Sequence, residues 1–183
     1  MRMFLALEPS PAALRAAETA VRPVREQYPH LRWSPSQNWH VTLVFLGELT
    51  EQQQAELVQR TPAALRAHSP LSLAVTGAGT FPRSAAQARV LWLGLEGDTS
   101  ALAGLVETLR GTARAIGIPV EHRAFHAHLT VARTRHPTDL RVANDTLAPL
   151  SGPRWTATEV QLLHSSPGPA GPHYRSVAQW ELT

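Results

Sequence analysis

The tetrad His-x-Thr-x occurs twice in this chain, as His40-Val41-Thr42-Leu43 and as His128-Leu129-Thr130-Val131. Both copies sit in apolar, β-branched runs, Trp39 to Leu46 and Phe125 to Arg133. Runs of this kind read as strands, whose side chains alternate between two faces. Each histidine therefore shares a face with its own threonine, while Val41 and Leu129 point into a core. Any fold must bury one face of both strands and leave the two His-Thr faces open. Two imidazoles, each with a hydroxyl beside it, suit phosphoester chemistry without a metal. One removes a proton, the other supplies one, and the hydroxyls hold a phosphate oxygen.

The elements around the tetrads recur in the same order. Arg2 to Leu7 reads as a strand stopped by Glu8-Pro9. Ser10 caps a helix that Pro11 opens, with Ala13, Leu14, Ala17, Ala20, Val21 and Val24 at helical spacing. After a polar loop comes the first His strand, closed by Gly47, and Thr50-Glu51 opens a second helix to about Ala67. Leu71 to Val75 reads as a strand and Thr76 to Ala88 as a Gly/Pro/Ser/Arg loop. The second half follows with a strand at Arg89 to Leu95, a helix at Ser100 to Ile116, the second His strand, and a short helix around Thr138 to Leu147. Strands at Thr158 to His164 and Tyr174 to Leu182 flank a turn-rich stretch from Ser166 to Pro172. The two histidines lie 88 positions apart, about half the chain. A duplicated unit folding as two facing lobes would bring the His strands together across a cleft.

Composition narrows the classes. The chain has 183 residues, 43% hydrophobic and 17% charged, which suits a soluble globular protein of one compact domain or two small lobes. All 17 basic residues are arginine, a bias expected of GC-rich coding, and each offers a planar fork for phosphate oxygens. A net charge of +3 permits RNA binding without arguing for it. The lack of cysteine excludes disulfides, Cys-based zinc sites and thiol nucleophiles. The apolar run at the N-terminus is too short for a signal peptide, and no stretch approaches the roughly 20 apolar residues that span a bilayer. A cytoplasmic protein is expected.

Asn38-Trp39-His40-Val41-Thr42-Leu43-Val44-Phe45-Leu46-Gly47-Glu48 and Phe125-x-x-His128-Leu129-Thr130-Val131-Ala132-Arg133 resemble the two motifs of the 2H phosphoesterases, specifically the RNA 2′,3′-cyclic phosphodiesterases or 2′-5′ RNA ligases. Arg2-x-Phe4-x-Ala6-Leu7 is similar to that family's opening strand. Gly77-x-Gly79-x-Phe81-Pro82 and Arg89-Val90-Leu91-Trp92-Leu93-Gly94 resemble its centre, and Gly171-x-x-Tyr174 its ending. Ala127 stands where the family often has proline and Trp39 where it often has leucine, both on the strand face away from the histidines.

The resemblance implies an α+β fold of residues 1–183 as a single domain. Its two pseudo-symmetric lobes of antiparallel sheet carry outer helices, with an active-site cleft between them. It implies His40 as proton donor and His128 as proton acceptor, Thr42 and Thr130 as donors to non-bridging oxygens, and no metal or other cofactor. The implied partner is RNA ending in a 2′,3′-cyclic phosphate, opened to a 2′-phosphate, with reversal giving a 2′-5′ linkage. No membrane, no obligate protein partner and a monomer are expected.

Other residues are candidates for substrate contact. Arg133 lies five positions beyond His128, an odd offset, so it reaches the phosphate only if a strand end or bulge turns it. Phe45, at the same offset from His40, is expected in the core. Trp33, Phe81 and Tyr174 could border the cleft and stack on a base, and Arg83 and Arg89 could meet an RNA backbone. His126 could tune or shield His128. His126, His128, Glu121 and His122 could also be read as a metal site, which leaves the His40 motif unexplained. A non-catalytic RNA-binding module, or a phosphodiesterase for small cyclic nucleotides, are the competing readings.

Overall fold

The computed structural model describes residues 2–169 and 171–183; residue 170, inside the expected turn, lies outside them. The chain runs β1 (Arg2–Leu7), α1 (Pro11–Gln27), β2 (Arg32–Trp33), β3 (Val41–Glu48), α2 (Glu51–Leu65), β4 (Leu71–Phe81), β5 (Ala88–Gly97) and α3 (Thr99–Ala115). It continues with β6 (His128–Thr138), α4 (Arg141–Leu147), β7 (Ser151–Ala157), β8 (Glu159–Ser166) and β9 (His173–Glu181). The architecture is α+β, with two antiparallel sheets ordered β3-β1-β8-β9 and β2-β6-β5-β4-β7.

The sheets are not the two halves of the sequence. β4 follows the first His strand but pairs with β5 in the second sheet, while β8 crosses back to pair with β1. Each sheet is thus completed by a strand from the far part of the chain. β3 and β6, which carry the two tetrads, belong to different sheets and touch each other.

Local chemistry places the helices. Ser10 Oγ accepts the Ala13 amide at 3.2 Å, satisfying one open N–H at the start of α1, with Pro11 next to it. Thr50 and Gln53 form a reciprocal capping box at the start of α2. α1 buries Ala13, Ala17, Val21 and Val24, and α3 buries Leu102, Leu105, Val106, Leu109 and Ala113, each set recurring on one helical stripe. α1 packs on β4 and β7, and α3 on β3 and β4.

The strands read from the sequence need correction at three places. β4 continues to Phe81 through the stretch read as a loop. Gly77 there, at φ +60°, marks a shift of register, and the indole of Trp92 lies where a Cβ on Gly79 would be, 2.1 Å away. The glycines are a bulge and a bed for an aromatic ring, not a turn. The two-residue β2 and the seven-residue β7 carry no pattern that marks them as strands. Trp39 is 1% exposed and donates its indole N–H to the Ser34 carbonyl at 3.0 Å, so this bulky residue serves lobe packing.

Candidate active site

His40 ends the segment that leads into β3, and His128 is the first residue of β6. His40 Nδ1 lies 2.7 Å from the Asn38 carbonyl, and His128 Nδ1 lies 2.6 Å from the His126 carbonyl. A carbonyl can only accept, so each Nδ1 carries a proton and each neutral ring keeps Nε2 as its free acceptor. The same device, a carbonyl two residues upstream, sets both tautomers.

The strand alternation holds through each threonine and then breaks in the same way twice. In β3, Ala6 pairs with Thr42 and Leu5 with Val44, so Leu43 is an extra residue and Leu43 and Val44 are both buried. In β6, Trp92 pairs with Thr130 and Leu91 with Ala132, so Val131 is extra and Val131 and Ala132 are both buried. A bulge of one residue shifts everything beyond it to the other face. Arg133 therefore joins His128 and Thr130. Its charge acts on both His128 and Tyr174, which belong to opposite sheets. Phe45 joins His40 and Thr42 and is 56% exposed, against the expectation that it is core. Its ring lies 6.2 Å from that of Phe4.

Aromatic rings wall both histidines. Phe4 stacks on His40 at 4.7 Å and Tyr174 meets it edge-on at 5.1 Å. Phe4, Ala6 and Leu163 form a small apolar cluster with Tyr174, separate from the main core. Phe81 lies edge-on to His128 at 5.1 Å, and Trp92 packs edge-on against His126 at 4.7 Å. A hollow of about 270 Å³ beside His40 is lined by Ala6, Glu8, Asn38, Gln161, Tyr174 and Ser176 among others.

Burial is the main cause that holds His40 down at about 4, with the charge of His128 adding to it. His128 is also held below the usual imidazole value, first by burial and then by the charges of His126, Arg133 and Arg123. Both shifts favour the neutral rings at pH 7. An anion placed between two such rings would favour a second proton on one of them.

The remaining candidates divide. His126 sits beside His128 with ring centroids 5.9 Å apart. Trp33 lies on the other face: it pairs with buried Ala132, donates its indole N–H to the Tyr28 carbonyl at 2.8 Å, and is covered by the Arg25 guanidinium at 5.7 Å. Arg89 donates to the Arg135 carbonyl at 2.9 Å, tying the ends of β5 and β6, and Arg83 is exposed in the loop after β4. Glu121 is paired with Arg123 at 2.7 Å, and among the described residues no three His, Asp or Glu side chains converge as metal ligands. Sequence reasoning missed Trp92, Phe4 and Arg110. Arg110 is buried on α3 and donates to the Arg123 carbonyl at 2.9 Å, fixing the segment that delivers His128.

Two antiparallel sheets, each presenting a histidine and a threonine to one cleft, define a 2H phosphoesterase. Residues 7–92 match the family model described as LigT-like phosphoesterase. An RNA 2′,3′-cyclic phosphodiesterase of Thermus thermophilus is 31% identical over all of this chain and 90% of its own length. One from Thermotoga maritima is 31% identical over 76% of this chain and 73% of its own. A crystal structure of Escherichia coli LigT complexed with 3′-AMP superposes with a TM-score of 0.75 at 27% identity, covering 100% of this chain and 98% of that one. The chain belongs to the LigT-like phosphoesterases. Among the described residues, no helix is long and apolar enough to cross a membrane.

Proposed function

We propose that the protein hydrolyses RNA ends carrying a 2′,3′-cyclic phosphate to 2′-phosphates, by acid–base catalysis between His40 and His128. The observation that carries the reading is the pair of imidazoles facing one cleft from separate sheets, each with Nδ1 tied to its own backbone and Nε2 free. The relatives' named activity, on RNA 2′,3′-cyclic phosphates, supports the substrate class.

His128 is the acceptor. Burial first, and then neighbouring charges including those of Arg133 and Arg123, disfavour its protonated form, so it waits as a neutral base for a water proton. His40 is the donor. Its ring lies against the face of Phe4, a contact that attracts an imidazolium. With an anion bound beside it the ring can hold a second proton, which it is placed to pass to a leaving oxygen. Water activated by His128 attacks phosphorus in line, and the bond to the ribose 3′ oxygen breaks. That oxygen takes the His40 proton, leaving the phosphate on the 2′ oxygen. Thr42, Thr130 and Arg133 hold the non-bridging oxygens as charge develops. Phe81 and Tyr174 offer ring faces to the base. Run backwards with a 5′-hydroxyl in place of water, the same groups join two strands by a 2′-5′ linkage. The reading takes residues 1–183 as one catalytic unit, working in the cytoplasm as a monomer.

The test is hydrolysis of an RNA oligomer ending in a 2′,3′-cyclic phosphate in the presence of EDTA. Native protein should yield a 2′-phosphate, and His40→Ala and His128→Ala should each abolish turnover. Absence of turnover by native protein, or a requirement for added metal, would overturn the proposal.

A further inference from the structure

Arg133 has a partner that the two motifs do not mark. β2 pairs with β6 so that Arg32 stands directly opposite Arg133. Directly opposed residues in antiparallel strands share a face, with Cα atoms about 4.5–5.5 Å apart. Arg32 is exposed, and the face it shares is that of His128 and Thr130, to which the bulge at Val131 turns Arg133. Like charges placed opposite each other in a sheet repel. Among the described residues, neither guanidinium has a carboxylate within 4.0 Å, although Arg25, Arg110, Arg123 and Arg141 all find one. A self-repelling pair left without a counter-ion suits an anionic ligand.

The position of the pair says which anion. Outward from His128 on one side lie β5 and β4, which present Trp92 and Phe81. On the other side only β2 remains, the edge of the sheet, and it presents Arg32. The strand that carries the second tetrad thus has aromatic rings on one flank and an arginine on the other. Arg32 is also held firmly. The next residue, Trp33, is bonded to Tyr28, and the Ser34 amide donates to the Val131 carbonyl at 2.9 Å.

We propose that Arg32 is a specificity-determining residue that binds the internucleotide phosphate next to the cyclic end, while Arg133 holds the reacting phosphate. The enzyme then selects a strand of two or more nucleotides over a lone cyclic mononucleotide. The assignment rests on the phosphodiesterase reading above. It adds no chemical step; it adds one phosphate contact, which releases counter-ions and steepens the salt dependence of binding by about 0.7 in log–log slope for a single strand.

Three substrates test it: adenosine 2′,3′-cyclic phosphate, the dinucleotide ApA ending in a 2′,3′-cyclic phosphate, and that dinucleotide with an uncharged methylphosphonate between its nucleosides. Native protein should favour the charged dinucleotide over the other two in kcat/KM by about tenfold, the worth of one charge-assisted contact of about 1.5 kcal/mol. Its salt slope should exceed that for the mononucleotide by about 0.7. In Arg32→Gln the ratio between charged and uncharged dinucleotide should fall to near one, and Arg32→Lys should recover part of it. Equal rates of native protein on the charged and uncharged dinucleotides would overturn the assignment. So would an Arg32→Gln variant that keeps the ratio, or one that loses the same factor on all three substrates. Failure of native protein to turn over any of the three would instead sink the phosphodiesterase reading beneath it.

Discussion

Replacing His40 by glutamine should remove part of the protein's sensitivity to mild acid. The imidazole titrates near 6.5 when the chain is unfolded and near 4 in the folded cleft. Between those values the unfolded chain binds a proton that the native chain refuses. Stability therefore rises with pH through this window and falls as pH drops from 6.5 towards 4, at about 1.4 kcal/mol per unit. From pH 7 to pH 5 the loss attributable to His40 is about 2 kcal/mol. Groups common to native and variant protein cancel in the comparison. Urea unfolding of both at pH 7 and pH 5 should thus show native protein losing about 2 kcal/mol more than His40→Gln. Inorganic phosphate provides a second arm. An anion about 4 Å from the imidazolium, at an effective dielectric near 20, is worth about 4 kcal/mol, or about 3 pK units. With saturating phosphate the native protein's excess loss should vanish. If native and variant protein lose the same stability between the two pH values without phosphate, burial does not hold His40 neutral, and the acid–base argument fails with it.

Other variants probe the site's construction. Gly79→Ala places a methyl inside the Trp92 ring and should cost about 1–3 kcal/mol in urea unfolding, with fluorescence reporting the displaced indole. Thr42→Val and Thr130→Val keep the shape but remove a donor, and each should lower kcat by about 10²-fold with less effect on KM. Arg133→Gln removes a charge that depresses His128, so the acid limb of the kcat/KM profile should move to higher pH while its maximum falls. Thr50→Ala breaks the capping box and should cost about 1 kcal/mol of stability at unchanged activity, checked by thermal unfolding and turnover.

The parts of the site that obey a local period could be read directly. His40 with Thr42, and His128 with Thr130, follow from alternation over three residues, and the α1 and α2 starts follow from Ser10-Pro11 and Thr50. What lies past each threonine depends on a bulge, and a bulge is set by pairing with another strand. Neither Leu43 nor Val131 differs from an ordinary strand residue, so the offset of five predicted a core Phe45 and left Arg133 undecided. Partners across a sheet are equally invisible: Arg32 gains its meaning only from standing opposite Arg133, and Trp33 turns away because its neighbour does not. Gly77 and Gly79 misled for a different reason. Small residues permit a turn, but they also permit a kinked strand and a close-lying indole, and only Trp92 distinguishes the two.

The exchange of strands between the sheets also fixes when the enzyme can come into being. Arg2 pairs with Ser165, so β1 waits for the distant β8 before its sheet can close. Pairings this distant are slow to form, and the chain emerging from a ribosome carries β1 with Phe4 and Ala6 uncovered until Leu163 arrives. A chain broken before residue 159 would lack β8, and with it the strand that covers Phe4 and Ala6 and closes the first sheet.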